Sequence, residues 1–80
     1  MKPSVIVDAR GLFCPVPIIK TSEAMRALDE GAIVELISDD PAIEFDMPAW
    51  CNSHGYKIEL VTREANLFRY LVRKAASKAE

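Results

Sequence analysis

Two prolines one residue apart, Pro15 and Pro17, limit where the first helix of this chain can begin. Proline lacks a backbone N–H and clashes with the preceding helical turn, so a helix accepts it in the first turn but not in its interior. Candidate core positions then recur at helical spacing, namely Ile18, Thr21, Met25 and Leu28. The sequence therefore predicts a helix over 15–28, followed closely by Gly31.

Four short segments rich in β-branched and aromatic residues predict strands. They cover residues 4–8, 32–38, 56–60 and 67–74. The second is apolar on both faces except at Glu35, as in a strand inside a sheet, whereas the third alternates apolar and charged residues. In the fourth, Phe68, Tyr70 and Val72 share one face. A helix running into 75–78 also fits this last segment, but its composition favours the strand.

A second helix is expected only in part of the segment between the second and third strands. The run Asp39-Asp40-Pro41 marks a cap or a turn. Pro48 cannot lie deep in a helix without losing a backbone hydrogen bond. We therefore expect a loose turn and then a short helix over 47–54, stopped by Gly55, with a polar connection later over 62–66.

The resulting order β-α-β-α-β-β predicts a two-layer α/β (α+β) sandwich, in which a four-stranded mixed sheet carries two helices on one face. A chain of 80 residues builds one core, so we expect a single domain over 1–80. The net charge of -2 argues against binding nucleic acid or an anionic membrane through the overall field. With no apolar run of signal-peptide or bilayer-spanning length, we expect a cytoplasmic protein with no direct nucleic acid partner and no membrane insertion.

The two cysteines, Cys14 and Cys51, and the single histidine, His54, show neither disulfide-framework nor metal-ligand spacing. We therefore expect two thiols, no metal and no cofactor. Cys14 stands where a strand and a glycine turn lead into the first helix, and the positive end of a helix dipole stabilises an anionic sulfur. Its pKa is therefore predicted to fall, with N–H donors from Cys14, Val16 or Ile18, since the prolines offer none. The alternative is a small buried thiol without chemistry.

The run Asp8-x-Arg10-Gly11-Leu12-x-Cys14-Pro15-x-Pro17, followed by Lys20, resembles the signature of the TusA family, once called SirA-like. The resemblance continues through Asp39-Asp40-Pro41 and Pro48-x-Trp50-Cys51 to residues 69–74, and so covers nearly the whole chain. It implies a two-layer fold like the C-terminal domain of bacterial translation initiation factor 3.

The resemblance also implies a sulfurtransferase that acts as a carrier of persulfide sulfur. By position, Cys14 is the catalytic, sulfur-bearing residue, and the supporting motif consists of Asp8, Arg10, Gly11, Pro15 and Pro17. A cysteine desulfurase or another sulfur donor would load the sulfur, and a DsrE-like protein or another acceptor would receive it, for example for tRNA thiolation. Val16 and Phe13 stand where charged residues are common in tRNA-thiolation members, so the donor and acceptor do not follow from the resemblance.

Several other residues have two interpretations each. Cys51 is a core residue or, if close enough to Cys14, a resolving thiol for redox chemistry. His54 caps a helix C-terminus or shuttles protons. Arg10 steadies an anion at Cys14 or forms an exposed ion pair. Of these pairs, we favour the structural reading for Cys51 and His54 and leave Arg10 open.

Two charged groups of residues are open to similar alternatives. Asp39 and Asp40 are expected to start a helix rather than to act as paired acid and base. The basic end of the chain is either a solvated edge or a docking site for an acidic partner, and it comprises Arg69, Arg73, Lys74 and Lys78. The rival to a sulfur carrier is a non-catalytic interaction domain, in which Cys14 reacts no faster than a model thiol.

Overall fold

A computed structural model describes residues 2–75 of the chain. Its elements are β1 (Val5–Asp8), α1 (Val16–Arg26), β2 (Ile33–Ser38), α2 (Ile43–His54), β3 (Lys57–Glu64) and β4 (Leu67–Arg73). The predicted order β-α-β-α-β-β and the mixed four-stranded sheet are confirmed. Neither helix of the described part is long and apolar enough to cross a membrane.

The sheet has the strand order β1-β2-β4-β3. β1 runs parallel to β2, with Val5 opposite Val34, whereas β4 is antiparallel to both β2 and β3. β2 therefore lies between two strands and under the helices, which explains why its sequence is apolar almost throughout. Because β1 and β2 are parallel, the chain leaves both strands at the same edge of the sheet.

The core lies between one face of the sheet and the two helices. On β4 the residues Phe68, Tyr70 and Val72 are all buried, which confirms the strand and its predicted face. The alternative of a helix over this segment is wrong up to Ala75, and the rest of that alternative falls outside the described residues. α1 ends at Arg26, two residues before the predicted end, and Lys74 Nζ donates to carbonyl oxygens near that end.

The second helix is longer than the sequence predicts, because Pro48 lies inside it. α2 begins at Ile43 rather than at residue 47, and it buries Ile43, Met47 and Cys51 at intervals of one turn. The missing N–H of Pro48 costs one backbone hydrogen bond. Burial of three apolar side chains, at about 1.5–3 kcal/mol for each large one, outweighs that loss. The predicted loose turn and the short helix were therefore wrong.

The third strand also differs from its prediction. β3 continues to Glu64, so the expected polar connection over 62–66 shrinks to a turn at Ala65 and Asn66. Its register against β4 shifts between Ile58 and Leu60, which interrupts the alternation of the two faces. Leu60 is therefore 50% exposed, although the sequence pattern groups it with the inward-facing residues.

The basic end of the chain is occupied by internal contacts where it is described. Arg69 pairs with Glu35 across the sheet at 2.8 Å, and Arg73 Nε donates to Glu59 at 2.7 Å. Lys74 is held by the carbonyls at the end of α1. These contacts favour a structural edge over a docking site for an acidic partner; Lys78 lies outside the described residues.

Candidate functional site

The segment that carries Cys14 starts at the end of β1, where Asp8 and Arg10 form an exposed ion pair. Arg10 Nε and a terminal guanidinium nitrogen donate to the two Asp8 carboxylate oxygens at 2.9 and 2.7 Å. These bonds lower the pKa of Asp8 to about 2. Of the two interpretations of Arg10, the structure supports the exposed ion pair, since its guanidinium is engaged by Asp8 rather than by the sulfur.

Two aspartates at the end of β2 hold the loop that follows β1. The Gly11 N–H donates to both carboxylate oxygens of Asp39, each at 3.1 Å, and the Cys14 N–H donates to Asp40 Oδ2 at 2.8 Å. The parallel pairing of β1 and β2 brings these two loops to one edge of the sheet. Gly11 has a φ of +80°, a region that favours glycine. The position of Cys14 therefore depends on both loops.

The expected roles of Asp39 and Asp40 as helix starters are only partly right. Asp40 Oδ1 accepts the N–H of Ala42 at 3.1 Å, a turn that leads into α2. Asp39 makes no such contact and binds the Gly11 N–H instead. The sequence gave no sign that these carboxylates reach back to the cysteine loop, because that contact depends on the pairing of β1 with β2.

The two prolines stand at the start of α1, as predicted. Pro15 is the N-cap, Val16 is the first helical residue and Pro17 lies in the first turn. The peptide bond between Cys14 and Pro15 is cis. The Val16 N–H donates to the Phe13 carbonyl at 2.9 Å, and the Cys14 N–H is taken by Asp40. Two of the three donors expected to stabilise an anionic sulfur are therefore directed elsewhere.

The predicted lowering of the Cys14 pKa is wrong. Cys14 is partly buried, and burial together with the carboxylates of Asp46 and Asp40 raises the pKa of its thiol to about 12. Both carboxylates act by accepting a hydrogen bond from the thiol and by repelling a thiolate. The sulfur therefore rests as a neutral thiol in the isolated protein.

Sequence reasoning missed Asp46 as a neighbour of Cys14. Asp46 lies in the first turn of α2, directly after the exposed Phe45, and its carboxylate faces the thiol. The sequence analysis placed Asp46 in a loose turn because Pro48 was taken to exclude a helix there. With α2 drawn from residue 43, Asp46 would have been placed near the start of a helix that packs beside α1.

Apolar side chains surround the thiol on the surface. Phe13 is 75% exposed and Phe45 is 81% exposed, and they adjoin Cys14 and Asp46 in the chain. Val16 and Ile19 on α1 are also exposed. This apolar rim, made of Phe13, Val16, Ile19 and Phe45, has no packing partner among residues 2–75 that would bury it.

The second thiol lies in the core, as the structural interpretation of Cys51 predicts. Cys51 is 3% exposed, its Sγ contacts Met47 Sδ at 3.6 Å, and burial raises its pKa to about 12. Both cysteines are free thiols. His54 ends α2, and its Nδ1 lies 3.0 Å from the Trp50 carbonyl and stacks beside Tyr56, which confirms a capping position. Within residues 2–75, no group of three His, Cys, Asp or Glu side chains is placed to hold a metal ion.

The comparison with protein families gives a match to sulfurtransferase TusA over residues 5–74. A putative sulfur carrier protein, YrkI of Bacillus subtilis, is 35% identical over 74 residues, which are 92% of this chain and 99% of the relative. The sulfur carrier protein TusA of Pseudomonas putida is also 35% identical over 74 residues, 92% of each chain. A putative sulfur carrier protein of Archaeoglobus fulgidus is 33% identical over 70 residues, 88% of this chain and 96% of the relative.

Among solved structures, a SirA-like protein from Desulfitobacterium hafniense has the same fold. It superposes with a TM-score of 0.78 at 20% sequence identity, covering 90% of this chain and 99% of the other. The two-layer arrangement of the sheet and its two helices is thus shared with this protein.

Proposed function

Because the chain belongs to the TusA family of sulfur carrier proteins, we propose that its carrier atom is the Sγ of Cys14. The observation that supports this choice is the contrast between the two thiols. Cys51 is buried in the core, whereas Cys14 is partly exposed where the β1 loop, α1 and the start of α2 meet. Sulfur exchange needs an accessible nucleophile, so only Cys14 can meet a partner without unfolding.

The proposed reaction is the transfer of one sulfur atom between cysteines. The Cys14 thiol loses its proton, and its sulfur attacks the outer sulfur of a donor persulfide, R–S–SH. A new S–S bond forms to Cys14, the donor S–S bond breaks, and its electron pair leaves on the donor thiolate, which takes up a proton. The products are Cys14–S–SH and R–SH. An acceptor thiolate then attacks the outer sulfur in the same way and regenerates the Cys14 thiol.

The supporting motif positions this sulfur rather than reacting with it. Asp39 and Asp40 fix the backbone at Gly11 and Cys14, and Pro15 and Pro17 stiffen the entry to α1. Asp8 and Arg10 close the start of the loop with their ion pair. In this account the chain needs no cofactor, because persulfide exchange involves only sulfur atoms and protons.

The donor in this proposal is a cysteine desulfurase or another persulfide-forming protein, and the acceptor is a DsrE-like protein or another protein thiol. The delivered sulfur serves tRNA thiolation or another sulfur-trafficking route, without direct contact between this chain and nucleic acid. Two free thiols and the absence of a disulfide between them suit a reducing compartment, so we place this single-domain carrier in the cytoplasm.

Mass spectrometry after incubation with a purified cysteine desulfurase and cysteine tests this function. The chain should gain one sulfur atom, about 32 Da, and lose it on reduction. Cys51→Ala is the matched control and should gain the same mass, whereas Cys14→Ser should gain none. Sulfur acquired by Cys14→Ser would refute the assignment of the carrier atom.

The raised pKa of Cys14 changes how the rival function, a non-catalytic interaction domain, can be distinguished. Slow reaction of Cys14 with a thiol reagent is now expected for a resting sulfur carrier as well, because two carboxylates face the thiol. Acceptance of sulfur from a persulfide donor separates the two functions, since an interaction domain would remain unmodified.

A further inference from the structure

The two carboxylates that face Cys14 lack a cationic partner among the described residues. Within residues 2–75, no ion pair includes Asp40 or Asp46. Two arginines lie in neighbouring segments, but Arg10 is paired with Asp8 and Arg63 with Glu44, which is in the first turn of α2. The thiol is thus surrounded by more negative than positive charge.

This arrangement opposes the step in which the carrier is loaded. As the Cys14 sulfur attacks a donor persulfide, it must carry negative charge, and the Asp40 and Asp46 carboxylates repel that charge. A cation placed against the carboxylates would offset the repulsion and favour the thiolate. Arg10 does not supply it, since Asp8 holds its guanidinium. The missing cation must come from outside the described residues.

The surface beside these carboxylates is suited to protein contact. Phe13 and Phe45, both largely exposed, flank the thiol and Asp46. Aromatic side chains at the centre of an interface supply much of its binding energy, whereas isolated exposed phenylalanines gain nothing from water. An apolar rim next to unpaired carboxylates complements a partner that is both apolar and basic.

We propose that the sulfur-donor protein completes the site by packing apolar side chains on Phe13 and Phe45 and placing a lysine or arginine against Asp40 and Asp46. This inference rests on the proposed function of Cys14 as the carrier sulfur. The donor's cation stabilises the Cys14 thiolate while the new S–S bond forms, and its departure returns the sulfur to a neutral thiol or persulfide. Loading is therefore confined to the docked complex.

Small disulfides of different charge test the cation requirement without any sulfur donor. In a Cys51→Ala background, the rate of exchange of Cys14 with cystamine, which carries two ammonium groups, is compared with that of the neutral hydroxyethyl disulfide. Each ratio is divided by the ratio for the same chain unfolded in urea, which removes the difference in leaving groups. Two exposed ion pairs predict a normalised preference for cystamine of about fivefold to tenfold.

Charge variants show whether the acidic pair produces that preference. Asp46→Asn should reduce it to about threefold or less, because one of the two attractive charges is gone. The same variant should alkylate at Cys14 about threefold faster for each unit by which the pKa falls, since the more abundant thiolate is also less nucleophilic. Glu23→Gln, an exposed carboxylate further along α1, is the matched control and should leave both rates unchanged. Asp40 is not substituted because it also holds the Cys14 backbone.

A purified cysteine desulfurase tests the apolar part of the surface. Phe45→Ala should raise the concentration of carrier that half-saturates sulfur loading about fivefold or more. Leu60→Ala, an exposed residue on the sheet face without helices, removes a comparable apolar group and should have no effect.

A normalised preference near one, or one that Asp46→Asn leaves unchanged, would overturn the proposed cation site. Equal half-saturation by the Phe45→Ala and Leu60→Ala variants would overturn the proposed docking surface. Neither result would affect the assignment of Cys14 as the carrier atom. Conversely, failure of Cys14 to accept persulfide sulfur, with the cystamine preference intact, would refute the proposed function alone.

Discussion

Cys14 in the isolated protein should react slowly with alkylating reagents at neutral pH. Burial and the carboxylates of Asp46 and Asp40 raise its pKa from 9.0 to about 12. The thiolate is then about a thousandfold scarcer at pH 7 than for an ordinary thiol. A more basic thiolate is more nucleophilic, which recovers about 15- to 30-fold at a Brønsted coefficient of about 0.4–0.5. The net expectation is alkylation about 30- to 60-fold slower than in the unfolded chain.

The assay measures the rate of alkylation by iodoacetamide from about pH 6 to about pH 11. Cys51→Ala leaves Cys14 as the only thiol, and the same variant unfolded in urea gives the reference rate. The folded protein should continue to react faster as the pH rises beyond 9, whereas the unfolded chain should approach a plateau. A folded protein whose rate levels off at or below pH 9, or equals the reference at pH 7, would refute the reasoning that two carboxylates and burial control this thiol.

Three further predictions concern the loop, the ion pair and stability at high pH. Gly11→Ala places a side chain at a φ of +80° with open space around its Cβ, so backbone strain alone should lower the free energy of unfolding by about 1–2 kcal/mol in urea titration; a loss below about 0.5 kcal/mol would contradict this. Arg10→Gln should leave both the Tm and the alkylation rate of Cys14 nearly unchanged, because its ion pair is exposed and does not involve the sulfur; alkylation slowed as strongly as Asp46→Asn accelerates it would instead assign Arg10 to the anion. Both thiols keep their protons in the folded protein above pH 9, where the unfolded chain loses them, so the Tm should fall as the pH rises from about 9 towards 12, and less so in Cys51→Ala.

The fold could be predicted from sequence where local pattern and tertiary packing agree. Pro15 and Pro17 mark the start of α1, and the aromatic face of β4 is the face that packs in the core. At α2 they disagree, because local propensity at Pro48 opposes a helix while burial of Ile43, Met47 and Cys51 favours one. Only the assembled core decides between these terms.

The chemical environment of Cys14 could not be read from its position before a helix. That position predicts a stabilised anion, whereas the contacts come from two segments distant in sequence, at Asp40 and Asp46. Whether a carboxylate or an N–H group faces the sulfur depends on how β1 pairs with β2 and on where α2 begins. The residues of the motif were identified from sequence, and their electrostatic setting was not.

The most direct test of the account follows a labelled sulfur atom onto the chain and off again. After loading by a purified desulfurase and removal of the donor, digestion with trypsin separates the two thiols, since the peptide 11–20 contains Cys14 and the peptide 27–57 contains Cys51. The account predicts the extra sulfur on peptide 11–20, and its loss from that peptide when an acceptor protein with a free thiol is added. Label on peptide 27–57, or label on peptide 11–20 that no acceptor thiol removes, would contradict a carrier role for Cys14.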